Sequence, residues 1–392
     1  METLDHMHDV VIVGAGPGGL YAGLCLARRG YDVVALEEHA AVGQPVHCTG
    51  ILAREAFHEF GLPRDAMLND LTTARFVSPA GREVTYRSGA VEAVVVDRAA
   101  FDAGLAAQAV RAGVCLQTGV RALDVARDGD AVSVALRGRP PVRARACVIA
   151  CGGRYALQRR LGFGLPPLFL HTAQLELPAT RPGDVELHFG GDVAPKGFAW
   201  AVPVWRGDRP YVRVGVMCDA DALTHFRRML DRVRRRWGVR CEPDDRPRQK
   251  VLPLAAIPRT YASRVLVVGD AAGLVKPTTG GGIYYSLVSA GLAAEVLSEA
   301  LAGGDLGAPV LADYERRWRA RLAAELEAQH SLRTVAHRMS DDDIESLFEL
   351  ARTDGVMPIV RRTASFNRHR KLILALFRHP PARAILFRSL VT

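Results

Sequence analysis

The feature that most constrains this chain is a glycine-rich turn between two apolar segments near its start. Residues 9–14 read DVVIVG, an apolar run that predicts a buried parallel strand. The turn over 14–19 reads GAGPGG and contains the pattern G-x-G-x-x-G. A helix is expected next, ending near Gly30, and residues 32–37 predict the second strand. These elements form a βαβ unit, which predicts a doubly wound α/β sheet.

This βαβ unit also predicts a dinucleotide site. Gly14, Gly16, Gly18 and Gly19 let the backbone approach a pyrophosphate, which would lie at the helix N-terminus. Glu37 ends the second strand, where a carboxylate accepts hydrogen bonds from the adenosine ribose. The pattern is shared by FAD and NAD sites, so it does not choose between the two cofactors.

A second motif favours FAD. Residues 265–273 read VLVVGDAAG, so a predicted buried strand ends in a Gly-Asp pair whose carboxylate can hold the ribityl chain of a flavin. A run of three glycines then opens a predicted helix. The N-terminus of that helix would direct partial positive charge to the flavin edge that becomes anionic on reduction. The residues assigned to this end of the cofactor are Gly269, Asp270, Gly280, Gly281 and Gly282.

With these motifs, the chain resembles the geranylgeranyl reductase family, within the para-hydroxybenzoate hydroxylase-like flavoprotein superfamily. Three segments carry the resemblance: PVHCTG at 45–50, APKGFAWAVP at 194–203 and PTTGGGI at 277–283. The middle segment departs from the family's Tyr-x-Trp-x-Phe-Pro, because Phe198 replaces the Tyr and Val202 replaces the Phe.

The resemblance implies an FAD enzyme, and its contacts carry over to matching positions. Gly18 and Glu37 match the adenosine end of the cofactor. The other matching positions are Cys48 and Thr49 beside the flavin, Arg98 at a helix start, Ala122 at the adenine, and Asp270, Gly282 and Ile283 at the ribityl and isoalloxazine end.

The resemblance also suggests where chemistry and substrate binding occur. Cys48 is the catalytic candidate, as a thiol that helps to protonate or position an alkene; the alternative is a small residue that packs in its loop. Phe198, Trp200 and Pro203 are the substrate-binding candidates, and the two aromatic residues either line an apolar tunnel or belong to the core.

The predicted fold class is α/β, a Rossmann-type FAD-binding domain with an inserted antiparallel β-sheet substrate domain and a helical C-terminus. Short alternating strands separated by turns begin near residue 168 and indicate the antiparallel sheet. The predicted domains are 1–167 with 250–310 for FAD, 168–249 for the substrate, and 311–392 for the helical region.

The leading functional hypothesis is a flavin-dependent reductase of isoprenoid carbon–carbon double bonds, with hydride transfer from reduced FAD. One alternative is a flavin monooxygenase or halogenase, because FAWAVP at 198–203 is about as close to the halogenase Trp-x-Trp-x-Ile-Pro. Another is a membrane-docked electron-transfer flavoprotein. The electron donor is either NAD(P)H or a redox partner protein such as ferredoxin, since the chain has a single G-x-G-x-x-G pattern.

Charge and cysteine usage bear on partners and location. The 392 residues carry a net charge of +9, yet no zinc-finger or RRM-type pattern appears, so nucleic acid is not an expected partner. Seven cysteines without a C-x-x-C pair predict no metal site and fit a reducing cytosol. No apolar run long enough to span a bilayer is expected. The location predicted is cytoplasmic, with peripheral contact at the inner face of the membrane as a further hypothesis.

That membrane hypothesis depends on residues 361–392. The segment has eight basic residues and no acidic one, interleaved with Leu, Ile and Phe. Such a pattern is typical of an amphipathic helix on an anionic membrane surface. The alternative is a terminal helix pair that packs on the body of the protein and exposes its arginines.

Overall fold

The computed structural model describes residues 6–242 and 244–388. Its strands, in chain order, are β1 Met7–Val13, β2 Val33–Leu36, β3 Ile51–Ala53, β4 Met67–Leu71, β5 Thr73–Val77, β6 Glu83–Arg87, β7 Ala93–Val96, β8 Cys115–Gln117, β9 Ala122–Asp128, β10 Ala131–Leu136, β11 Arg139–Ile149, β12 Phe169–Pro178, β13 Val185–His188, β14 Phe198–Arg206, β15 Arg209–Cys218, β16 Arg248–Pro253, β17 Tyr261–Ala262 and β18 Val265–Val267.

The helices lie between and after these strands. They are α1 Pro17–Ala27, α2 Arg54–Glu59, α3 Arg98–Arg111, α4 Ala156–Arg160, α5 Ala222–Trp237, α6 Ile283–Gly303, α7 Ala308–Arg338, α8 Asp341–Arg352, α9 Met357–Thr363, α10 Arg370–Arg378 and α11 Pro380–Leu386, with a short 3₁₀ helix at Gly269–Ala272.

The first sheet contains the parallel core predicted from the apolar runs. Its strand order is β17-β18-β11-β1-β2-β8, and the hairpin β9–β10 extends from β11. Strand β1 pairs in parallel with β2 and β11, and β18 pairs in parallel with β11. Because parallel strands end at a common edge, the turns after β1, β2 and β18 meet there. Helices α1 and α6 pack against each other beside this edge.

The second sheet has the order β16-β12-β15-β14-β13-β5-β6 and is antiparallel except at β13–β5. Helix α5 covers one of its faces with buried Phe226, Met229 and Trp237. The antiparallel sheet predicted from the sequence is therefore confirmed. Strands β5 and β6 lie outside the range 168–249, so two separate parts of the chain build this layer. The domain boundaries themselves stay a prediction.

The helical C-terminus is also confirmed. Helix α7 packs on α6 and β17, and α10 and α11 pack on α7 and α8. The apolar side chains of α10 and α11, among them Leu376, Phe377 and Leu386, join a cluster with Val335 of α7. Residues 389–392, the end of the segment 361–392, lie outside the described residues.

One expectation about apolar segments was wrong. In the described part of the chain, α6 is a 21-residue helix that is long and apolar enough to cross a membrane by length and composition. Most of its apolar window, 61%, is buried inside the protein, as in the core helix of a globular domain. Small residues, serines and two glutamates interrupt the apolar character of this helix, so it does not form one continuous apolar run in the sequence.

Candidate functional site

The turn after β1 is shaped so that its backbone faces a cleft. Gly14 has φ +103°, and a Cβ there would lie 2.5 Å from the Ala150 carbonyl oxygen. A Cβ at Gly19 would lie 2.0 Å from the Gly14 carbonyl oxygen, so both positions exclude a side chain. Gly16 instead has open space beside it and precedes α1 without any side-chain cap. The first N–H groups of α1 therefore remain available to an anionic group.

Glu37 ends β2 at the same edge and is held by the backbone. Its Oε2 accepts a hydrogen bond from Ala15 N at 3.0 Å, and its Oε1 accepts one from His39 N at 3.0 Å. The His39 ring atom Nδ1 also lies 2.6 Å from Oε1. A carboxylate offers about four lone-pair directions, so Oε2, which accepts the bond from Ala15 N, retains capacity for a ribose hydroxyl. Ala122, the first residue of β9, lines the cleft near this end.

The turn after β18 forms the opposite end of the cleft. Gly269 has φ +62°, and its N–H donates to Ser289 Oγ of α6 at 3.1 Å. Asp270 follows, and its Oδ2 lies 3.4 Å from Lys250 Nζ, which comes from β16 of the second sheet. Burial, together with the Asp270 charge, raises the pKa of Tyr155. The Tyr155 hydroxyl is thus a donor at neutral pH, and it donates to the Asp270 carbonyl oxygen at 3.3 Å.

Helix α6 begins beside Asp270. Gly282 is its N-cap and provides no side chain, so the first N–H groups of the helix are uncapped. Gly280, Gly282 and Ile283 line the cleft next to Asp270. An uncapped helix N-terminus stabilises negative charge, which is what a reduced flavin develops at its N1–C2 edge.

The loop with Cys48 and Thr49 closes one side of the cleft. Cys48 Sγ accepts a hydrogen bond from Gly50 N at 3.3 Å, and Thr49 Oγ1 donates to Gln174 Oε1 at 2.6 Å. Arg213, only 2% exposed, donates from Nη1 to the Thr49 carbonyl oxygen at 2.6 Å. A buried arginine of the second sheet therefore fixes this loop.

Arg98 begins α3 behind that loop. Its Nη2 donates to both carboxylate oxygens of Asp102, at 2.9 and 2.8 Å. Burial opposes its charge, but Asp102 and Cys48 outweigh burial and raise the pKa of Arg98. Its Nε is buried without a hydrogen-bond partner among the described residues, although Arg98 lines the cleft. A ligand oxygen would satisfy this donor.

These features surround a continuous cleft of about 680 Å³. Of the predicted cofactor residues, Gly19 and Gly281 do not line it, and Gly19 instead packs under Gly14. The predicted residues that line the cleft are Gly14, Gly16, Gly18, Glu37, Cys48, Thr49, Arg98, Ala122, Gly269, Asp270, Gly280, Gly282 and Ile283.

The second sheet forms the other wall, and here the sequence prediction was incomplete. Trp200, Met217 and Leu252 come from three adjacent or nearby strands and line the cleft. A Cβ at Gly215 would lie 2.2 Å from the Trp200 indole, so this glycine makes room for the ring. Trp200 Nε1 is buried without a partner among the described residues.

The other two substrate candidates do not face the cleft. Phe198 lies on the same face of β14 as Trp200 but outside the cleft lining, with the two ring centroids 5.8 Å apart. Pro203 pairs with Val212 further along β14, and its carbonyl oxygen accepts from Asn69 Nδ2. Four further lining residues carry no signal in the sequence, because an alternating strand pattern does not tell which face a second sheet will turn to a cofactor. They are Gln174, Met217, Lys250 and Leu252.

A group of side chains with metal-binding atoms lies at another edge of the first sheet. His6 Nε2 and His8 Nδ1 lie 2.7 and 2.9 Å from the same Asp32 oxygen. Their ligand atoms all lie within 4.8 Å of one another, although the sequence predicted no metal site. In the structure this group joins the start of β1 to the residue before β2.

Similarity to known proteins covers most of the chain. The family model described as FAD binding domain matches residues 7–329. The digeranylgeranylglycerophospholipid reductase of Methanocaldococcus jannaschii is 31% identical over 367 residues, which are 89% of this chain and 92% of that protein.

Solved structures share the fold. A geranylgeranyl bacteriochlorophyll reductase-like protein from Thermoplasma acidophilum superposes with a TM-score of 0.83 at 23% identity, covering 98% of this chain and 99% of that one. The flavin-dependent brominase Bmp2 superposes with a TM-score of 0.70 at 17% identity, covering 98% of each chain.

Proposed function

The chain belongs to the FAD-binding-domain family and, within it, to the geranylgeranyl reductases, and on this basis we propose that it reduces carbon–carbon double bonds in the isoprenoid chains of a digeranylgeranylglycerophospholipid-type lipid. It is an FAD-dependent oxidoreductase. The substrate proposal depends on one observation: the polar wall of the cleft, from the first sheet, meets an apolar wall from the second sheet. Asp270 and Gly282 form the flavin end, and Trp200, Met217 and Leu252 present apolar surface directly beside it.

The residues of the chain have distinct tasks in this proposal. When bound, reduced FAD supplies a hydride. Glu37 and the N-terminus of α1 hold the adenosine and pyrophosphate, while Asp270 and the N-terminus of α6 orient the ring system. The apolar wall positions an alkene and excludes water, which shortens the approach of the reacting atoms and protects the reduced cofactor.

Cys48 is proposed as the residue that protonates or positions the alkene. In support, it lines the cleft, in a loop that Arg213 and Gln174 fix from the second sheet. Cys48→Ala should keep FAD and lower the rate of lipid reduction at saturating lipid. An unchanged rate together with a lower thermal midpoint would assign Cys48 to packing alone.

The first experiment identifies the cofactor. Purified protein should be yellow and release FAD, not FMN, on denaturation, because the glycine turn and Glu37 address the AMP half that FMN lacks. Recovery of FMN alone would refute the proposal.

The second experiment identifies the reaction. Photoreduced protein should be reoxidised anaerobically by a geranylgeranyl lipid, with saturation of the lipid double bonds detected by mass spectrometry. A flavin hydroperoxide formed with oxygen would favour a monooxygenase or halogenase, and inertness toward both would favour an electron carrier. Stopped-flow reduction by NADPH, NADH and reduced ferredoxin would then identify the electron donor.

We further propose a cytoplasmic location with electrostatic contact to an anionic membrane surface, from which the lipid substrate would be drawn. Four basic side chains are exposed on or just before the C-terminal helices, while apolar side chains such as Leu376 and Leu386 pack inward. The four are Arg368, Lys371, Arg378 and Arg383. Changing these four to Gln should weaken binding to anionic vesicles at low salt and leave flavin content intact. Each contributes at most about 1 kcal/mol. If the wild type and the fourfold variant bind anionic vesicles equally, the proposal of membrane contact is wrong.

A further inference from the structure

A lysine close to the cleft is buried and is not used by the cleft itself. Lys276 lies between the Asp270 turn and the glycine run, is 2% exposed, and is not among the cleft-lining residues. Its Nζ donates to the Phe366 carbonyl oxygen at 2.7 Å and to Asn367 Oδ1 at 2.8 Å. The same Nζ lies 4.7 Å from the centroid of the Phe366 ring. A buried amino group requires such partners, and they come from residues about 90 positions later in the chain.

A second contact joins the same two segments. Thr278 Oγ1 lies 2.7 Å from His369 Nδ1 and 3.0 Å from Gln329 Oε1. Glu325 of α7 accepts a hydrogen bond from Arg370 N at 2.9 Å, which holds the start of α10 against α7. We call residues 366–370 the C-terminal segment and residues 276–282 the flavin loop.

Asn367 also contacts helix α2. It is 1% exposed, and its Nδ2 donates to Glu55 Oε1 at 3.1 Å. Glu55 lies in α2, which follows the Cys48 loop and the short strand β3. The amide of Asn367 therefore bridges the flavin loop, through Lys276, and the helix that follows the Cys48 loop.

The flavin loop transmits the position of Lys276 to the cleft. Lys276 N donates to the Gly281 carbonyl oxygen at 3.2 Å, and Gly280 N donates to the Lys276 carbonyl oxygen at 2.9 Å. The loop is thus closed on itself, so a displaced Lys276 displaces the glycines. Gly280 and Gly282 line the cleft beside Asp270.

We propose that the C-terminal segment positions the flavin loop, with Asn367 and Lys276 as positioning residues that set the affinity for FAD and its reduction potential. This inference rests on the proposed flavin site. Without these contacts, the loop would sample several conformations, and bound FAD would have to select one of them, which weakens its apparent affinity. The N-terminus of α6 would also lose its fixed orientation toward the flavin.

The test compares single and double variants of the full chain. Asn367→Leu removes one acceptor from Lys276 at similar volume, and Lys276→Met removes the amino group. Each should raise the dissociation constant for FAD at least tenfold, change the visible circular dichroism of the bound flavin and shift its reduction potential. The double variant should bind FAD about as weakly as the single variant with the larger effect, because both single changes break the same interaction. Arg352→Gln, an exposed change at the end of α8, is the control and should keep the wild-type FAD affinity and reduction potential.

A rescue separates positioning from general destabilisation. N367D keeps an acceptor for Lys276 but places a second carboxylate beside Glu55, so it should bind FAD weakly. E55Q/N367D restores a donor opposite that carboxylate and should return the dissociation constant to within about threefold of the wild-type value, since the lost hydrogen bond is remade.

If N367L or N367D leaves both FAD affinity and reduction potential unchanged, the inference is wrong. If variants lower only the thermal midpoint, the contacts are structural and the inference is equally wrong. Wild-type protein without FAD would instead overturn the flavin site itself.

Discussion

Asp270 and Gly282 are so close that a Cβ at position 282 would lie 2.5 Å from Asp270 Oδ1. The Asp270 carboxylate therefore lies directly beside the uncapped N-terminus of α6. One comes from the end of β18 and the other from the start of a long helix, so the two ends of this loop form a single polar site.

Asp270→Ala should weaken FAD retention more than a change at an exposed acid of the second sheet region. The reason is the loss of a charge-assisted hydrogen bond to the cofactor, about 1.5–3 kcal/mol, or roughly ten- to hundredfold in affinity. The measurement is the dissociation constant for FAD from fluorescence titration of apoprotein. Asp192→Ala is the control, since Asp192 is exposed and pairs with Arg228 and Arg232. Equal retention by both variants would argue against the assignment.

Two neighbouring glycines should respond differently to alanine. Gly280 has φ +71°, and a Cβ there would lie 2.4 Å from Leu252 Cδ2. A Cβ at Gly281 would meet its nearest neighbour, Thr279 Oγ1, only at 3.5 Å, and the φ of Gly281 lies outside the left-handed region. Gly280→Ala should therefore lower stability by about 1–2 kcal/mol through backbone strain and narrow the cleft at Leu252. Gly281→Ala should be near wild type. The measurements are the thermal midpoint and the FAD affinity of each variant. Equal values for the two variants would contradict the predicted difference between Gly280 and Gly281.

Arg213→Met should loosen the Cys48 loop. The side chain is buried and donates to the Thr49 and Val96 carbonyl oxygens and to Glu176, so its removal takes this donor from both carbonyl oxygens. A loss of about 1–3 kcal/mol in stability is expected, because two backbone acceptors lose a buried donor while Glu176 keeps its second partner, Arg206. Arg209→Met, an exposed change on the same strand β15, is the control. Denaturant midpoints that agree between the two variants would show that Arg213 does not hold the loop.

His369 should make the folded state sensitive to acid. Burial, and then Lys276, lowers the pKa of His369 from its ordinary 6.5 to about 4. The groups that face it are Lys276 and Thr278 from the flavin loop, Glu325 from α7 and the Phe366 carbonyl oxygen. Because the folded state binds this proton less readily than the unfolded state, stability is full above pH 6.5 and falls as pH drops toward 4, by roughly 2–3 kcal/mol.

The check is the thermal midpoint of wild type and His369→Gln between pH 7 and pH 4.5. The variant should lose less stability than the wild type over this interval. His58→Gln, at an exposed histidine of α2, should follow the wild type. Parallel curves for all three proteins would show that His369 does not titrate as expected.

The sequence by itself determined the local chemistry of the cofactor site. The turn at Gly14, the acid at Glu37 and the Gly-Asp pair at 269–270 lie at strand ends, and the backbone rules for such turns are local. The edge at which these turns meet follows from parallel pairing, so the cleft lining at the cofactor end was largely predictable. The family resemblance then supplied Cys48 and Arg98, which the βαβ pattern alone did not indicate.

Which side chains line the cleft depends on the tertiary structure. Trp200 lines it and Pro203 does not, because the placement of β14 against the first sheet chooses one face of the strand, and alternation along a strand is the same for either choice. Phe198 shares the face of Trp200 but lies at the start of β14, outside the cleft lining. The 361–392 segment is likewise basic and amphipathic whether it contacts a membrane or packs on α7. In the structure its apolar side chains pack against α7 and α8, and Asn367 accepts a hydrogen bond from Lys276, about 90 residues earlier in the chain. Such long-range pairing depends on the shape of the whole core, which no local pattern encodes.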